Sequence, residues 1–210
     1  MRHAYPILID VTDRLAVIVG GGPVAARKAR GVLAAGAKCI RCIAPQFASD
    51  FPEQVERITE EYAAAHLEGA DLVFAATDSR QVNDEVVRDC RQRGIWVNRA
   101  DSDEVEPGDF VTPAKWEVGP VIVTVSAGSA ALAAALRDQI AGAIDQRYIA
   151  MAQAMQELRP MILASKLDGT ARAAIFRELT SAKALDLLRG QGIDGLRQWL
   201  NERLPMTNDK

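Results

Sequence analysis

Cysteine and histidine are scarce in this chain of 210 residues, which holds three of the first and two of the second. Three thiols cannot form a closed disulfide set, so the expected setting is reducing. Cys39 and Cys42 make a formal C-x-x-C, but they lie inside Ala37–Ala44, which reads as a strand. Residues three apart on a strand point to opposite faces, so these thiolates cannot share a metal and read as buried side chains. With only His3 and His66 besides, zinc has few possible ligands, and no metal site is expected. Basic charge is not in excess: 25 basic against 28 acidic residues leave a net −3, which argues against a nucleic-acid partner. No apolar run approaches the ~18 residues of a membrane helix. Met1–Arg2–His3 does not open a signal-peptide pattern. The expectation is a soluble cytoplasmic protein, with enough apolar residues (49%) for a sizeable core.

What is present is an alternation of strands and helices. Arg14–Val19 is a β-branched run that ends in Gly20–Gly21–Gly22–Pro23, and Val24–Ala35 then carries apolar residues at helical spacing. Ala37–Ala44 completes a βαβ unit. Glu53–Ile58 fits either a short helix or a strand. Asp71–Ala76 reads as a buried strand, Gln81–Arg93 as a helix with Val82, Val86, Val87 and Cys90 on one face, and Ile95–Asn98 as a strand. This pattern predicts an α/β fold with a Rossmann-like, doubly wound parallel sheet. Five acids crowd Asp101–Asp109. Phe110–Thr112 and Pro120–Ser126 look strand-like beyond it. From Ser129 an alanine-rich helix is expected to about Leu158, kinked or ended by Pro160. Short helices separated at Asp168–Gly169 and Gly190–Gly195 follow. The expected domains are a dinucleotide-binding domain over 1–112, a connecting strand–helix element over 113–144 and a helical tail over 145–210.

Gly20, Gly22 and Ala25 fit G-x-G-x-x-A directly after a strand and at the opening of a helix. The first glycine permits the tight turn, the second lets backbone approach a pyrophosphate, and the small third residue lets helix and strand pack closely. The amides of Val24–Ala26 would face the phosphates at the positive end of the helix dipole. The expected cofactor contacts are Gly20, Gly21, Gly22, Pro23, Val24 and Ala25. The acid that usually meets the ribose of NAD is missing from Cys39–Ala44, where Arg41 is either a partner for a 2′-phosphate or part of a solvated face. NAD is the expected cofactor, with NADP left open.

The assembled motifs resemble the precorrin-2 dehydrogenase family, the dehydrogenase–ferrochelatase part of siroheme synthases. The resemblance rests on Pro6–Ile9, Val17–Lys28, Gly36–Ala37, Ala75–Asp78 with Asn83, Asn98–Asp101, Phe110–Ala114, Thr124–Ser129 and Leu132–Arg137, in that order. It implies oxidation of precorrin-2 to sirohydrochlorin with reduction of NAD, and a homodimer formed through the region after the Rossmann domain. Fused members carry a methyltransferase domain, for which 210 residues are expected to leave no room. By the same resemblance Asp101 falls on the family's active-site aspartate, where a carboxylate can accept the proton that accompanies hydride loss. Thr77, Asp78 and Asn98 fall beside the expected cofactor crevice, with Asp78 alternatively a helix cap and Asn83 alternatively a surface residue.

The family's serine loop aligns here in two ways. One places Thr124 and Ser129 on its serines, and the other uses Ser126 and Gly128; Ser129 reads equally as a helix N-cap. A substrate bearing eight carboxylates needs cations, and Arg99, Lys115 and Arg137 are the candidates by position. Asp103, Glu104, Glu106 and Asp109 read as a solvated acidic loop, with metal gathering the alternative. Two other activities stay open: a bifunctional dehydrogenase that also inserts ferrous iron, and a non-catalytic NAD(H)-binding redox sensor. An alcohol dehydrogenase of the Y-x-x-x-K type is excluded, because none of Tyr5, Tyr62 and Tyr148 has a lysine four residues on.

Overall fold

The computed structural model describes residues 4–101 and 108–204, so His3 and the acidic trio Asp103, Glu104 and Glu106 lie outside the described residues. The chain divides into two compact units, one ending at Thr112 and the other beginning at Pro113.

In the first unit, strands β1 (Leu15–Val19), β2 (Cys39–Ile43), β3 (Glu56–Ile58), β4 (Leu72–Ala75) and β5 (Trp96–Arg99) form one sheet in the order β3-β2-β1-β4-β5. All its pairings are parallel. Helices α1 (Pro23–Ala34) and α2 (Arg80–Arg93) make the crossovers from β1 to β2 and from β4 to β5. Side chains of β1 alternate between two cores: Ala16 and Ile18 pack with Ala25, Ala26 and Ala29 of α1, while Val17 and Val19 pack with Val86, Val87 and Cys90 of α2. A strand covered on both faces must be apolar throughout, which is why β1 reads as an unbroken hydrophobic run. Each buried Val or Ile contributes roughly 1.5–3 kcal/mol to this packing.

Of the undecided stretch Glu53–Ile58, the last three residues form the edge strand β3. Cys42 and Cys90 are buried, but Cys39 is exposed, contrary to the expectation of two buried thiols in the C-x-x-C. Phe110–Thr112 is not a strand. It runs beside the edge strand β5 and is held by individual bonds: Asp109 N–H to the Val97 carbonyl at 2.7 Å, Val97 N–H to Asp109 Oδ2 at 3.0 Å, and Asn98 Nδ2 to the Phe110 carbonyl at 2.8 Å. These bonds satisfy backbone groups that an open sheet edge would otherwise leave to any passing strand.

The second unit begins with an antiparallel hairpin, β6 (Ala114–Val118) and β7 (Val121–Val125). Its two-residue turn is Gly119–Pro120, and Gly119 takes φ +56°, as the first position of a tight hairpin turn requires. Helix α3 (Ala130–Ala143) packs on both hairpin strands. The long helix expected over 129–158 is in fact two, because the chain leaves helical geometry at Ile144 and Asp145 then caps α4 (Gln146–Ala164) by accepting the Arg147 N–H at 2.9 Å. Pro160 lies inside α4 without ending it. It sits on the exposed face, where water can serve the carbonyl that loses its helical donor. Asp168 caps α5 (Gly169–Glu178), and α6 (Ala182–Asn201) is interrupted at Gly192. Leu158, Ile162, Leu179, Leu196 and Leu200 form the fully buried centre of this helical part. Among the described residues no helix is long and apolar enough to cross a membrane.

Candidate active site

In the sheet order β3-β2-β1-β4-β5 the crossovers leave β1 in opposite directions, so a crevice opens outside the carboxyl ends of β1 and β4. The turn after β1 meets the end of β4 there. Gly20 donates its N–H to the Ile43 carbonyl at 2.8 Å, and Ala76 donates to the Val19 carbonyl at 2.8 Å.

The three glycines of the turn have three different reasons. Gly20 has φ +135°, and a Cβ on it would sit 2.4 Å from the Ala76 carbonyl oxygen. Gly21 lies against the loop after β2, where a Cβ would come within 1.9 Å of the Gln46 carbonyl. Gly22 has an ordinary extended backbone (φ −84°, ψ −175°), and a Cβ there would meet no atom within 4 Å. Among the described residues nothing calls for glycine at 22, whereas close approach of a pyrophosphate would. The residues therefore fit a dinucleotide. Pro23 starts α1 and has no N–H, so Val24 and Ala25 supply the first donors of the turn. Ala26 is not among them, because its N–H already binds the Gly22 carbonyl at 3.0 Å.

At the end of β4 a polar cluster gathers around Asp101. Asn83 is fully buried, and its Nδ2 donates to Asp101 Oδ2 at 2.9 Å and to the Thr77 carbonyl at 3.1 Å. Its Oδ1 accepts the Thr77 N–H at 3.2 Å. Arg99, with a side chain only 1% exposed, binds Asp101 through Nε to Oδ1 and through Nη2 to Oδ2 at 3.0 Å, and reaches Asp84 through Nη1 at 2.5 Å. The Asp101 side chain keeps 31% of its surface exposed. Its carboxyl is held below the usual carboxylate range by the Arg99 hydrogen bonds first; burial opposes them as the next largest effect, and the Asn83 hydrogen bond lowers it further. The arrangement is an ionised, oriented carboxylate that faces solvent beside the Thr77 turn.

Residues 7–114 match the model of a family described as "Putative NAD(P)-binding". The chain belongs to that family. The match covers nearly all of the first unit, with the glycine turn and the Asp101 cluster inside it. Siroheme synthase 2 of Aeromonas hydrophila is 32% identical over 98% of this chain, and siroheme synthase of Methylococcus capsulatus is 34% identical over 91%. The chain spans 44% and 42% of their respective lengths. Among solved structures, the chain titled "SirC, precorrin-2 dehydrogenase" superposes with a TM-score of 0.75 at 21% identity, covering 94% of this chain and all of that one. That likeness shows that the fold, a parallel α/β sheet followed by helices, is shared across both units.

In this NAD(P)-binding family member the other expected contacts fall in different places. Asp78 is exposed and caps nothing; Ser79 caps α2 instead, accepting the Val82 N–H at 3.3 Å. Asn98 is 3% exposed, and its amide binds the Phe110 carbonyl. Its Oδ1 is buried and has no partner. Arg41 is not on a solvated face, since its side chain is 22% exposed and binds Glu56 and the carbonyls of His66 and Glu68.

Arg99 is not a free cation for a substrate, because two carboxylates already hold it inside the first unit. Lys115 pairs with Glu117 at 2.7 Å and Arg137 with Asp138 at 2.6 Å, both at the surface of the second unit. Ser129 caps α3 by accepting the Leu132 N–H at 3.2 Å, so its hydroxyl has a structural task. Thr124, Ser126 and Gly128 are exposed. Sequence reasoning missed Asp84 entirely. The signal available was its place next to Asn83 on a helix whose first turns face the crevice. Among the described residues no three His, Cys, Asp or Glu side chains gather as a metal site.

Proposed function

We propose that the chain oxidises precorrin-2 to sirohydrochlorin, with Asp101 as the group that accepts a proton. The observation that carries this reading is the Asp101 carboxylate, held by Asn83 and Arg99 at the mouth of a dinucleotide crevice. The relatives named siroheme synthase and the fold shared with a chain titled precorrin-2 dehydrogenase support the substrate. The nicotinamide dinucleotide supplies the hydride acceptor. Gly22 lets its pyrophosphate approach, the Val24 and Ala25 amides bind it, and Thr77 lies where the nicotinamide end of the crevice meets β4. Losing a hydride leaves the macrocycle cationic, and the fixed negative charge of Asp101 stabilises that charge before taking the proton from the neighbouring position.

NAD rather than NADP is the cofactor of this reading, because the one arginine of β2, Arg41, is committed to Glu56 and two carbonyls. Within the second unit, Lys115 and Arg137 are the cations proposed to meet carboxylates. Their surface pairs with Glu117 and Asp138 are worth only ~0–1 kcal/mol and give way readily. Residues 113–144 carry a homodimer contact, supported by exposed Leu132, Leu136 and Ile140 on α3. Three free cysteines agree with a cytoplasmic setting.

The deciding experiment is anaerobic turnover of enzymatically generated precorrin-2 with NAD, followed by absorbance. Wild type forms sirohydrochlorin, and Asp101→Ala loses ~10²–10⁴-fold in kcat while still binding NAD. If wild type binds NAD yet leaves precorrin-2 unchanged, the proposal fails and a redox-sensing role takes its place.

A further inference from the structure

A primary amide buried in a protein core costs free energy unless its polar atoms are satisfied. Asn83 is completely buried on the face of α2 that also carries Val86, Val87 and Cys90. Its amide can make four hydrogen bonds, two as donor and two as acceptor. Both N–H bonds are used, one on the Thr77 carbonyl and one on Asp101. The oxygen takes the Thr77 N–H and lies 2.8 Å from the Thr77 hydroxyl, whose single proton is shared between Oδ1 and the Ser79 carbonyl. The amide cannot be turned over, because the Thr77 N–H can only donate and the Thr77 carbonyl can only accept. Backbone groups thus fix which end of Asn83 faces Asp101.

Three of these contacts go to Thr77, and pinning a turn would explain them without any chemistry. The fourth has no such explanation. It leaves the turn and ends on a half-exposed carboxylate 18 residues away in sequence, which Arg99 already grips from β5. From this we infer that Asn83 is a positioning residue: it ties the Asp101 carboxylate to the Thr77 turn, so that proton acceptor and cofactor turn keep one geometry. This role rests on the function proposed above for its catalytic meaning, but not for its geometry. The charged groups facing Asp101 among the described residues are Arg99 of β5 and, through the same guanidinium, Asp84 of α2.

The test reads the Asp101 carboxyl directly, without substrate. The protein carries ¹³C at the aspartate carboxyls, the Asp101 resonance is identified by its loss in Asp101→Asn, and its titration is followed in wild type and in Asn83→Leu. That substitution keeps roughly the size of Asn83 and removes the donor facing Asp101 without adding a charge. The expected result is a midpoint raised by about one unit or more. A purely structural role for Asn83 leaves the midpoint within about 0.3 unit, well inside the one-unit effect of a lost charged hydrogen bond, and that overturns the inference.

Should Asn83→Leu not fold, the wild-type protein still decides. The Asn83 side-chain amide protons must shift with pH in step with the Asp101 carboxyl and stop doing so in Asp101→Asn. Amide protons that ignore that titration overturn the inference. Absence of precorrin-2 turnover in wild type would remove the proposed function and leave this titration unaffected, so the two failures are distinguishable.

Discussion

Arg99 and Asp101 show how neighbours change what a charged residue can do. As a position in a sequence, Arg99 is a cation inside the N-x-x-D motif in a chain of net charge −3, and so reads as a partner for an anionic substrate. In the fold its side chain is buried, and Asp84 and Asp101 hold it. Its effect is exerted on Asp101, whose carboxyl it keeps below the usual range. A carboxylate with a depressed folded-state pKa contributes stability that is fully present above its unfolded value of about 3.9 and is lost as pH falls through the lower folded value. Urea unfolding between pH 7 and pH 3 should therefore show wild type losing more stability below about pH 4 than Asp101→Asn does. Parallel curves for the two proteins would mean that Arg99 and Asn83 do not hold the carboxyl down.

The sequence could name Asp101, because N-x-x-D carries it. It could not show that Asn83 faces inward, since a polar residue beside a helix's apolar stripe reads as surface until a partner from another strand is brought to it. The same holds for Asp84 and Arg99, which come together only because β4 and β5 pair in parallel register, Ala75 opposite Arg99.

At the level of elements, the glycine turn was the most legible feature, and its parts are separable by experiment. Gly20→Ala forces a side chain into φ +135° and against the Ala76 carbonyl, a cost of about 1–3 kcal/mol from the backbone alone. Gly22→Ala meets no atom and keeps an allowed backbone, so its stability should change by no more than about 1 kcal/mol, the scale of a helix N-cap substitution. Titration with NADH, followed by fluorescence, should nevertheless show a clear loss of affinity in Gly22→Ala, because the added methyl would stand where the pyrophosphate is proposed to approach. Undiminished binding in this variant would mean that the phosphates lie elsewhere.

Other element boundaries were less readable, for local reasons. The run from Ser129 to Leu158 is alanine-rich and helix-forming throughout, so its periodicity hides the break. The break is marked only by Gly142 in the last turn of α3 and by Asp145, which caps α4. Phe110–Thr112 has strand-like residues but pairs through side chains and single backbone bonds, which no periodic pattern encodes. The hairpin strand Ala114–Val118 does not stand out in the sequence because Lys115 and Glu117 interrupt its apolar residues, leaving no continuous apolar run.

For the whole molecule, each unit closes its own core, and the second also carries an exposed apolar stripe on one helix. The first closes its sheet between α1 and α2. In the second, α3 leaves Leu132 at 51%, Leu136 at 37% and Ile140 at 44% exposure, four residues apart and hence on one helix face. Val118 and Ile122 of the hairpin on which α3 packs are exposed as well. A continuous apolar stripe of this kind marks an interaction surface rather than a solvated one. The exposed alanines beside these large residues, Ala131 and Ala135, allow a close approach of backbones.

A second copy of the chain is the occupant proposed here, since a two-fold contact lets a single stripe cover itself. Leu136, at the centre of the stripe, is the decisive position. Sedimentation equilibrium should give wild type at twice the chain mass and Leu136→Arg at the chain mass, with helical content by circular dichroism the same in both. An exposed leucine exchanged for arginine on a helix surface alters intrinsic helix stability little, so a change of mass reports the contact rather than the fold. A wild type that sediments as a monomer up to high concentration would remove the homodimer and leave the stripe for a different partner.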